Sequence, residues 1–244
     1  MSIEATRMKD SSVVVIGGSS GMGLAVAKRA AAAGARVTIA ARDAGKLDRA
    51  AGEIGGNVDA RVLDATDEAA VAALFADIGA FDHLVTSASA GAGGPIVKAD
   101  LDAARGFFES KFWGQFFAAR HAAPHIRETG SITLFSGGSG RFPSSGLGVE
   151  GAVNGAVEAM CRALAQELAP VRVNVISPGL VDTPIFDGLP PDKREKLYQA
   201  VAARLPVGRV GHTEDIAEAA LYLMNCGFST GSIVDVDGGF AVRR

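Results

Sequence analysis

The chain has 244 residues, of which 48% are hydrophobic and 21% are charged, and its formal net charge is -3. This apolar fraction is ordinary for a globular protein and excludes a disordered chain. A mildly acidic chain lacks the clustered Lys and Arg that bind phosphate backbones, so we expect no nucleic-acid partner. The two cysteines are too few for a disulfide framework or a four-ligand zinc site, and the four histidines are scattered. We therefore expect no metal site.

Signals for targeting or for membrane insertion are missing from the sequence. The first twelve residues are polar and mixed in charge, unlike a signal peptide. No run approaches the roughly 20 apolar residues that span a bilayer. The expectation is a cytoplasmic protein that has no membrane partner.

Short runs rich in Val and Ile alternate with longer amphipathic stretches along the chain. The predicted strands are Ser12–Ile16, Arg36–Ala40, Asp59–Val62, His83–Thr86, Ser131–Phe135, Val171–Ile176 and Ser232–Val236. The predicted helices are Gly23–Ala33, Asp43–Gly55, Glu68–Ile78, Leu101–His125, Gly151–Ala169 and Glu214–Cys226. Continuous apolar runs are typical of strands buried on both faces of a parallel sheet. The pattern predicts a single α/β domain over residues 1–244, a Rossmann-type doubly wound parallel sheet of about seven strands with helices on both faces.

One long irregular region, residues 180–211, holds four prolines around a short predicted helix near residues 193–204. Loops of this length inside a compact domain are usually lids or binding loops. We expect this region to be a substrate flap. Its apolar side chains, among them Ile185, Phe186 and Leu189, favour a small and mainly apolar substrate.

A glycine-rich turn, GGSSGMG at residues 17–23, follows the first predicted strand and leads directly into a helix. Glycines let such a turn tighten and approach a pyrophosphate, while the helix N-terminus offers it unpaired N–H groups. In this strand–turn–helix context the motif predicts a dinucleotide site, although its spacing is GxxxGxG and not GxGxxG. The predicted contacts in this turn are Gly17, Ser19, Ser20, Gly21, Met22 and Gly23.

Arg42, at the end of the second predicted strand, bears on the choice of cofactor. An acidic residue at this point holds the ribose 2′-hydroxyl of NAD, whereas an arginine suits the 2′-phosphate of NADP. With the hydroxyls of Ser19 and Ser20 nearby, Arg42 predicts NADP(H). Asp64, after the third predicted strand, can accept a hydrogen bond from the adenine amino group. Alternatively, Arg42 is a solvated surface arginine and Asp64 is an ordinary turn residue.

Several motifs along the whole chain resemble those of the short-chain dehydrogenase/reductase family. They are the glycine turn and residues 63–67, 172–179, 205–209 and 230–239. The resemblance implies a seven-stranded parallel sheet, NAD(P)(H), a small-molecule substrate and a homodimer or homotetramer. It further implies cofactor contacts at Asp64, Ala65, Ser87, Ala88, Asn154, Pro178, Gly179, Val181 and Thr183. The predicted helices Leu101–His125 and Gly151–Ala169, rich in Ala and Phe, are expected to form the subunit contacts.

The catalytic set of that family does not carry over to this sequence. The family uses Asn, Ser, Tyr and Lys, with the Lys four residues after the Tyr on one helix. The matching positions hold Lys111, Gly137, Glu150 and Asn154. Neither of the two tyrosines, Tyr198 and Tyr222, has a lysine four residues later.

Hydride transfer to a carbonyl creates an alkoxide, which needs a proton donor or a cation beside it. Three hypotheses stay open for this chain. In the first, the chain is an NADP(H)-dependent oxidoreductase that uses Glu150 and Lys111 as a non-standard catalytic pair. In the second, it is a non-catalytic NADP(H)-binding protein, either a sensor or an inactive partner. In the third, it is a lyase or isomerase with Glu150 as base. Both residues also have a possible role without catalysis. Glu150 would then be an acid that stabilises the start of a helix, and Lys111 would be a surface lysine. The sequence does not determine the substrate or the direction of reaction.

Overall fold

The computed structural model describes residues 8–56, 58–89, 93–142 and 145–242. Its strands are β1 (Ser12–Ile16), β2 (Arg36–Ala41), β3 (Val58–Val62), β4 (Phe81–Thr86), β5 (Ile126–Phe135), β6 (Arg172–Pro178) and β7 (Ile233–Val236). They form one parallel sheet in the order β3-β2-β1-β4-β5-β6-β7. The predicted doubly wound α/β fold is confirmed, and the strand order reverses between β1 and β4.

The α-helices are α1 (Gly21–Ala32), α2 (Ala44–Ile54), α3 (Glu68–Ile78), α4 (Leu101–Phe108), α5 (Gly114–Ala122), α6 (Gly148–Glu167), α7 (Pro191–Ala202) and α8 (Thr213–Asn225). Aspartates precede three of them. Asp43, Asp67 and Asp100 each accept a hydrogen bond from a backbone N–H three residues later, which satisfies a donor that the helix leaves free. No helix within the described ranges has the length and apolar character needed to cross a bilayer.

Both faces of the sheet are buried, each in its own hydrophobic cluster. One cluster packs α1, α2 and α8 against the sheet, and the other packs α3, α5 and α6 against the opposite face. Successive residues of β1 alternate between them: Val13 and Val15 belong to the first cluster, Val14 and Ile16 to the second. Since strand side chains point alternately to opposite faces, a doubly covered strand must be apolar throughout.

The helix predicted over Leu101–His125 is interrupted in the structure. Between α4 and α5, residues Glu109–Trp113 form a five-residue π-helix, and the helical stretch ends at Ala122. β5 then begins at Ile126, five residues before its predicted start. The predicted helix is therefore present but ends three residues early, and apolar spacing did not distinguish the π geometry of residues 109–113 from α geometry. Single π-turns inside α-helices are frequent at functional sites, and this one contains Lys111.

Candidate active site

A groove of about 390 Å³ lies at the carboxyl ends of β1, β2, β3 and β4, where the strand order reverses. Ligands of open α/β sheets bind in the crevice at such a reversal. The predicted cofactor residues that line this groove are Gly17, Ser19, Ser20, Gly21, Met22, Gly23, Arg42, Asp64, Ala65, Ser87, Ala88 and Thr183. The remaining predicted contacts, Asn154, Pro178, Gly179 and Val181, lie outside its lining.

The turn after β1 has space only for glycine at two points. Gly17 has a φ of +86°, and a Cβ on it would lie 2.7 Å from the backbone nitrogen of Ala88. A Cβ on Gly23 would lie 2.3 Å from the carbonyl oxygen of Gly17 and 2.5 Å from Ser87 Oγ. Because these two residues have no side chain, the first turn of α1 can pack closely against the segment that follows β4.

The N-terminus of α1 is suited to an anion. Ser20 precedes the helix without a capping bond from its side chain, and the first turn contains no acidic residue. The N–H groups of this turn therefore stay available, and together with the helix dipole they favour a negatively charged ligand. A dinucleotide pyrophosphate fits this cradle of backbone donors.

Two cations line the groove beside β2. Arg42 follows the strand and Lys46 lies in the first turn of α2, and both are exposed. Neither forms an ion pair with a carboxylate in the part of the chain that the structure describes. The sequence analysis missed Lys46, although its position four residues after Arg42, at the start of a predicted helix, was a usable signal. The two positive charges are free to bind a phosphate group.

Asp64 offers one free carboxylate oxygen to the groove. Its Oδ1 accepts hydrogen bonds from the backbone N–H of Thr66 at 3.0 Å and from its hydroxyl at 2.8 Å. These bonds hold the pKa of Asp64 below its ordinary value, and the charge of Arg42 lowers it further. The ionised carboxylate is fixed in orientation, as an acceptor for an adenine amino group requires.

Lys111 extends from the π-helix to the end of β5. Its Nζ donates a hydrogen bond to the carbonyl oxygen of Ser136 at 3.0 Å and lies 5.8 Å from the centre of the Phe107 ring. Burial lowers the pKa of Lys111 to about 8, and the negative charge of Glu150 opposes this shift. An amine of this pKa can give or take a proton near neutral pH.

Glu150 stands in the first turn of α6, and both of its carboxylate oxygens are engaged. Oε1 accepts from the backbone N–H of Gly93 and Oε2 from that of Gly94, each at 3.0 Å. The backbone N–H of Val149 donates in return to the carbonyl of Gly94 at 3.1 Å. Glu150 thus fastens the segment at residues 93–94 to the start of α6, while its charge acts on Lys111.

Asn154 fills the space beside Gly137. Its Nδ2 donates to Ser139 Oγ at 2.9 Å, while its buried Oδ1 has no hydrogen-bond partner among the described residues. A Cβ on Gly137 would lie 3.0 Å from Nδ2, so a serine there would crowd the amide. A buried acceptor without a donor is unfavourable, and a ligand hydroxyl would satisfy it.

An ion pair with a buried carboxylate supports Ser136. Its hydroxyl donates to Glu158 Oε1 at 3.1 Å, and Arg141 Nε donates to the same oxygen at 3.2 Å. The Arg141 guanidinium also pairs with Asp235 on β7. The side chain of Glu158 is only 3% exposed. Sequence reasoning missed this pair, although Glu158 lies four residues after Asn154 on the same face of α6.

Almost the whole chain matches known proteins. A family model described as enoyl-(acyl carrier protein) reductase matches residues 16–241. The short-chain dehydrogenase/reductase ATR9 of Stachybotrys chlorohalonatus is 36% identical, in an alignment that covers 95% of this chain and 97% of ATR9. The chain belongs to the short-chain dehydrogenase/reductase family.

Solved structures of short-chain dehydrogenase/reductases agree with this assignment. A small-chain dehydrogenase in complex with NADPH is 37% identical, with a TM-score of 0.80 over 95% of this chain and 98% of that one. The MalC reductase/Diels-Alderase from Malbranchea aurantiaca is 27% identical, with a TM-score of 0.88 over 98% of this chain and 100% of that one. The predicted family membership is confirmed.

The burial of Lys111 predicts how stability depends on pH. The pKa of Lys111 is about 8 in the folded chain against 10.5 for an ordinary lysine, so between these values the unfolded chain holds more protons and stability rises with pH. The stability of Lys111→Met relative to wild type should therefore fall by about 1 kcal/mol between about pH 7 and pH 9. Urea unfolding at the two pH values measures this difference.

A matched control is Lys196→Met, at an exposed position on α7. Its stability relative to wild type should be the same at both pH values. An equal pH dependence for the two variants would contradict the buried state of Lys111.

Proposed function

We propose that this chain is an NADP(H)-dependent oxidoreductase that reduces a carbonyl, or oxidises the corresponding alcohol, on a small and mainly apolar substrate. The observation that carries the proposal is the hydrogen bond that holds the ammonium of the partly buried Lys111 at the end of β5, where burial lowers its pKa to about 8. It would offer the proton and the positive charge that hydride transfer needs, from the position where the family has an asparagine. The family membership of the chain supports the same class of reaction.

The groove supports NADP(H) as the cofactor. The backbone N–H groups of the first turn of α1 would hold the pyrophosphate, and Asp64 would accept from the adenine amino group. Arg42 and Lys46 would bind the 2′-phosphate that distinguishes NADP(H) from NAD(H). A relative with 37% identity is described in complex with NADPH. The unpaired Oδ1 of Asn154 would accept a hydrogen bond from a ribose hydroxyl.

The side chains of this site have distinct tasks in the proposed reaction. When bound, the reduced nicotinamide supplies the hydride. Lys111 would neutralise the charge that develops on the substrate oxygen and give it a proton, so that alkoxide becomes alcohol and ammonium becomes amine. Glu150 holds residues 93–94 in place and favours the charged form of Lys111. A proton from solvent then restores the ammonium, so each turnover consumes one proton.

Cofactor preference tests the role of Arg42. NADPH should bind at least about tenfold more tightly than NADH, a difference of about 1.4 kcal/mol. Arg42→Asp should abolish or reverse this preference, because it removes a phosphate-binding charge and adds a repelling one. Titration of both cofactors by fluorescence measures the affinities.

Arg49→Asp makes the same charge change one turn along α2, at a position that does not line the groove. It should keep most of the preference for NADPH. Equal affinity of the wild-type chain for both cofactors would contradict the assignment of Arg42.

Turnover tests the pair Glu150 and Lys111. The wild-type chain is first screened with NADPH against a panel of aldehydes and ketones of differing size, with cofactor oxidation as the readout. On the best substrate, Lys111→Met and Glu150→Gln should each lower kcat by roughly 10²-fold or more. Lys111→Met removes the proton donor, and Glu150→Gln removes the charge that favours the ammonium form of Lys111. The affinity for NADPH should change little, because its main contacts lie elsewhere.

Two results would overturn this mechanism. If Glu150→Gln keeps full activity, Glu150 is a helix-start acid without a catalytic task. If the wild-type chain binds NADPH but oxidises it with no carbonyl compound, a non-catalytic sensor or inactive partner subunit becomes the better assignment.

We also propose that the chain forms a homodimer or homotetramer. Trp113 is 38% exposed and makes ring contacts with Phe112, Phe116 and Phe117 on the same helical stretch. Exposed aromatic clusters of this kind are typical of subunit interfaces. Light scattering at micromolar concentration should give a dimer or tetramer, and Trp113→Glu should weaken it. A monomeric wild-type chain would remove this proposal.

A further inference from the structure

Gln115 connects the two sides of the contact between Lys111 and Ser136. This side chain is 1% exposed and lies in α5, four residues after Lys111. Its Nε2 donates to the carbonyl of Lys111 at 2.8 Å and to that of Phe135 at 2.9 Å. Its Oε1 accepts from the backbone N–H of Phe135 at 2.8 Å. One amide therefore ties the π-helix to the last residue of β5.

These bonds lie where the helical stretch has π geometry. There the backbone N–H of Gly114 donates to the carbonyl of Glu109, five residues earlier, whereas an α-helix pairs residues four apart. The side-chain amide of Gln115 donates to the carbonyl of Lys111 in this segment. The same amide fixes Phe135, and the next residue, Ser136, supplies the carbonyl that holds Lys111 Nζ. One side chain thus bonds to the backbone of the donor, Lys111, and to the residue that precedes the acceptor, Ser136.

We propose that Gln115 is a positioning residue that holds the ammonium of Lys111 at the end of β5 and away from water. The inference rests on the proposed function, in which Lys111 supplies the proton. Ser136 has further supports, since its N–H bonds to the carbonyl of Ile176 at 3.0 Å and its hydroxyl bonds to Glu158. Neither of these contacts reaches the π-helix, whereas the amide of Gln115 bonds both to the carbonyl of Lys111 and to the backbone of Phe135.

The charges around Lys111 belong to other residues. Glu150 faces it from the first turn of α6, and Glu158 lies on the same helix beyond Ser136, where Arg141 neutralises it. Glu109 on the π-helix is exposed to solvent. Gln115 is uncharged, so its replacement by another uncharged residue acts on Lys111 only through position and access of water.

The test measures the titration of Lys111 directly. Competitive labelling with acetic anhydride over a range of pH, followed by peptide mass spectrometry, gives the midpoint for each lysine without any substrate. In the wild-type chain the midpoint of Lys111 should lie near 8. In Gln115→Leu it should rise by at least about one pH unit, because water enters the gap between the π-helix and β5 and solvates the ammonium.

Two further variants complete the design. Gln115→Asn keeps an amide but is one methylene too short to bond both segments, and it should give an intermediate midpoint even if Gln115→Leu fails to fold. Gln166→Leu makes the same substitution at an exposed position near the end of α6 and should leave the midpoint of Lys111 unchanged. With an active substrate, the Gln115 variants should lower kcat at least about tenfold without a change in NADPH affinity.

The outcomes separate this inference from the proposed function. A wild-type midpoint near 8 that is unchanged in Gln115→Leu or Gln115→Asn would overturn the positioning role and leave the proposed function intact. A wild-type midpoint near 10.5 would contradict the proposed function itself, and with it the positioning role of Gln115. A shift of equal size in Gln166→Leu would also overturn the inference.

Discussion

The hydrogen bond from the Lys111 ammonium to the carbonyl of Ser136 is the contact on which this site depends. A buried ammonium is unfavourable unless the surrounding groups stabilise it, and here one carbonyl and the charge of Glu150 do so. The contact requires the end of β5 to stay fixed relative to the π-helix. Gln115 supplies that fixation from the helix side, and the pair Glu158 and Arg141 supplies it from α6.

The departures from the family's catalytic set form one consistent arrangement. In the family the proton donor and its cation follow each other along one helix, whereas here the cation comes from the π-helix and the carboxylate from α6. Asn154 occupies the space beside Gly137, which explains why residue 137 has no side chain. Gly137→Ser alone would crowd the amide of Asn154.

The sequence predicted the parts of the molecule that depend on local pattern. Continuous Val and Ile runs revealed the strands, and the glycines at residues 17 and 23 revealed the dinucleotide turn, because their requirement is steric and local. The π-helix, Gln115 and Glu158 could not be predicted in this way. Gln115 and Glu158 are polar residues on helices, and only the packing of those helices against the end of β5 shows what they bond. Lys46 could have been predicted from the sequence, because it follows Arg42 by four residues at the start of a predicted helix.

In the proposed mechanism the partly buried Lys111 donates a proton near neutral pH. The most direct test is a pH titration by NMR of the protein made with ¹³C-labelled lysine, in which the Lys111 signal is assigned by its loss in Lys111→Met. We expect a midpoint of about 8 for this signal. A midpoint near 10.5, the ordinary value for lysine, would contradict it.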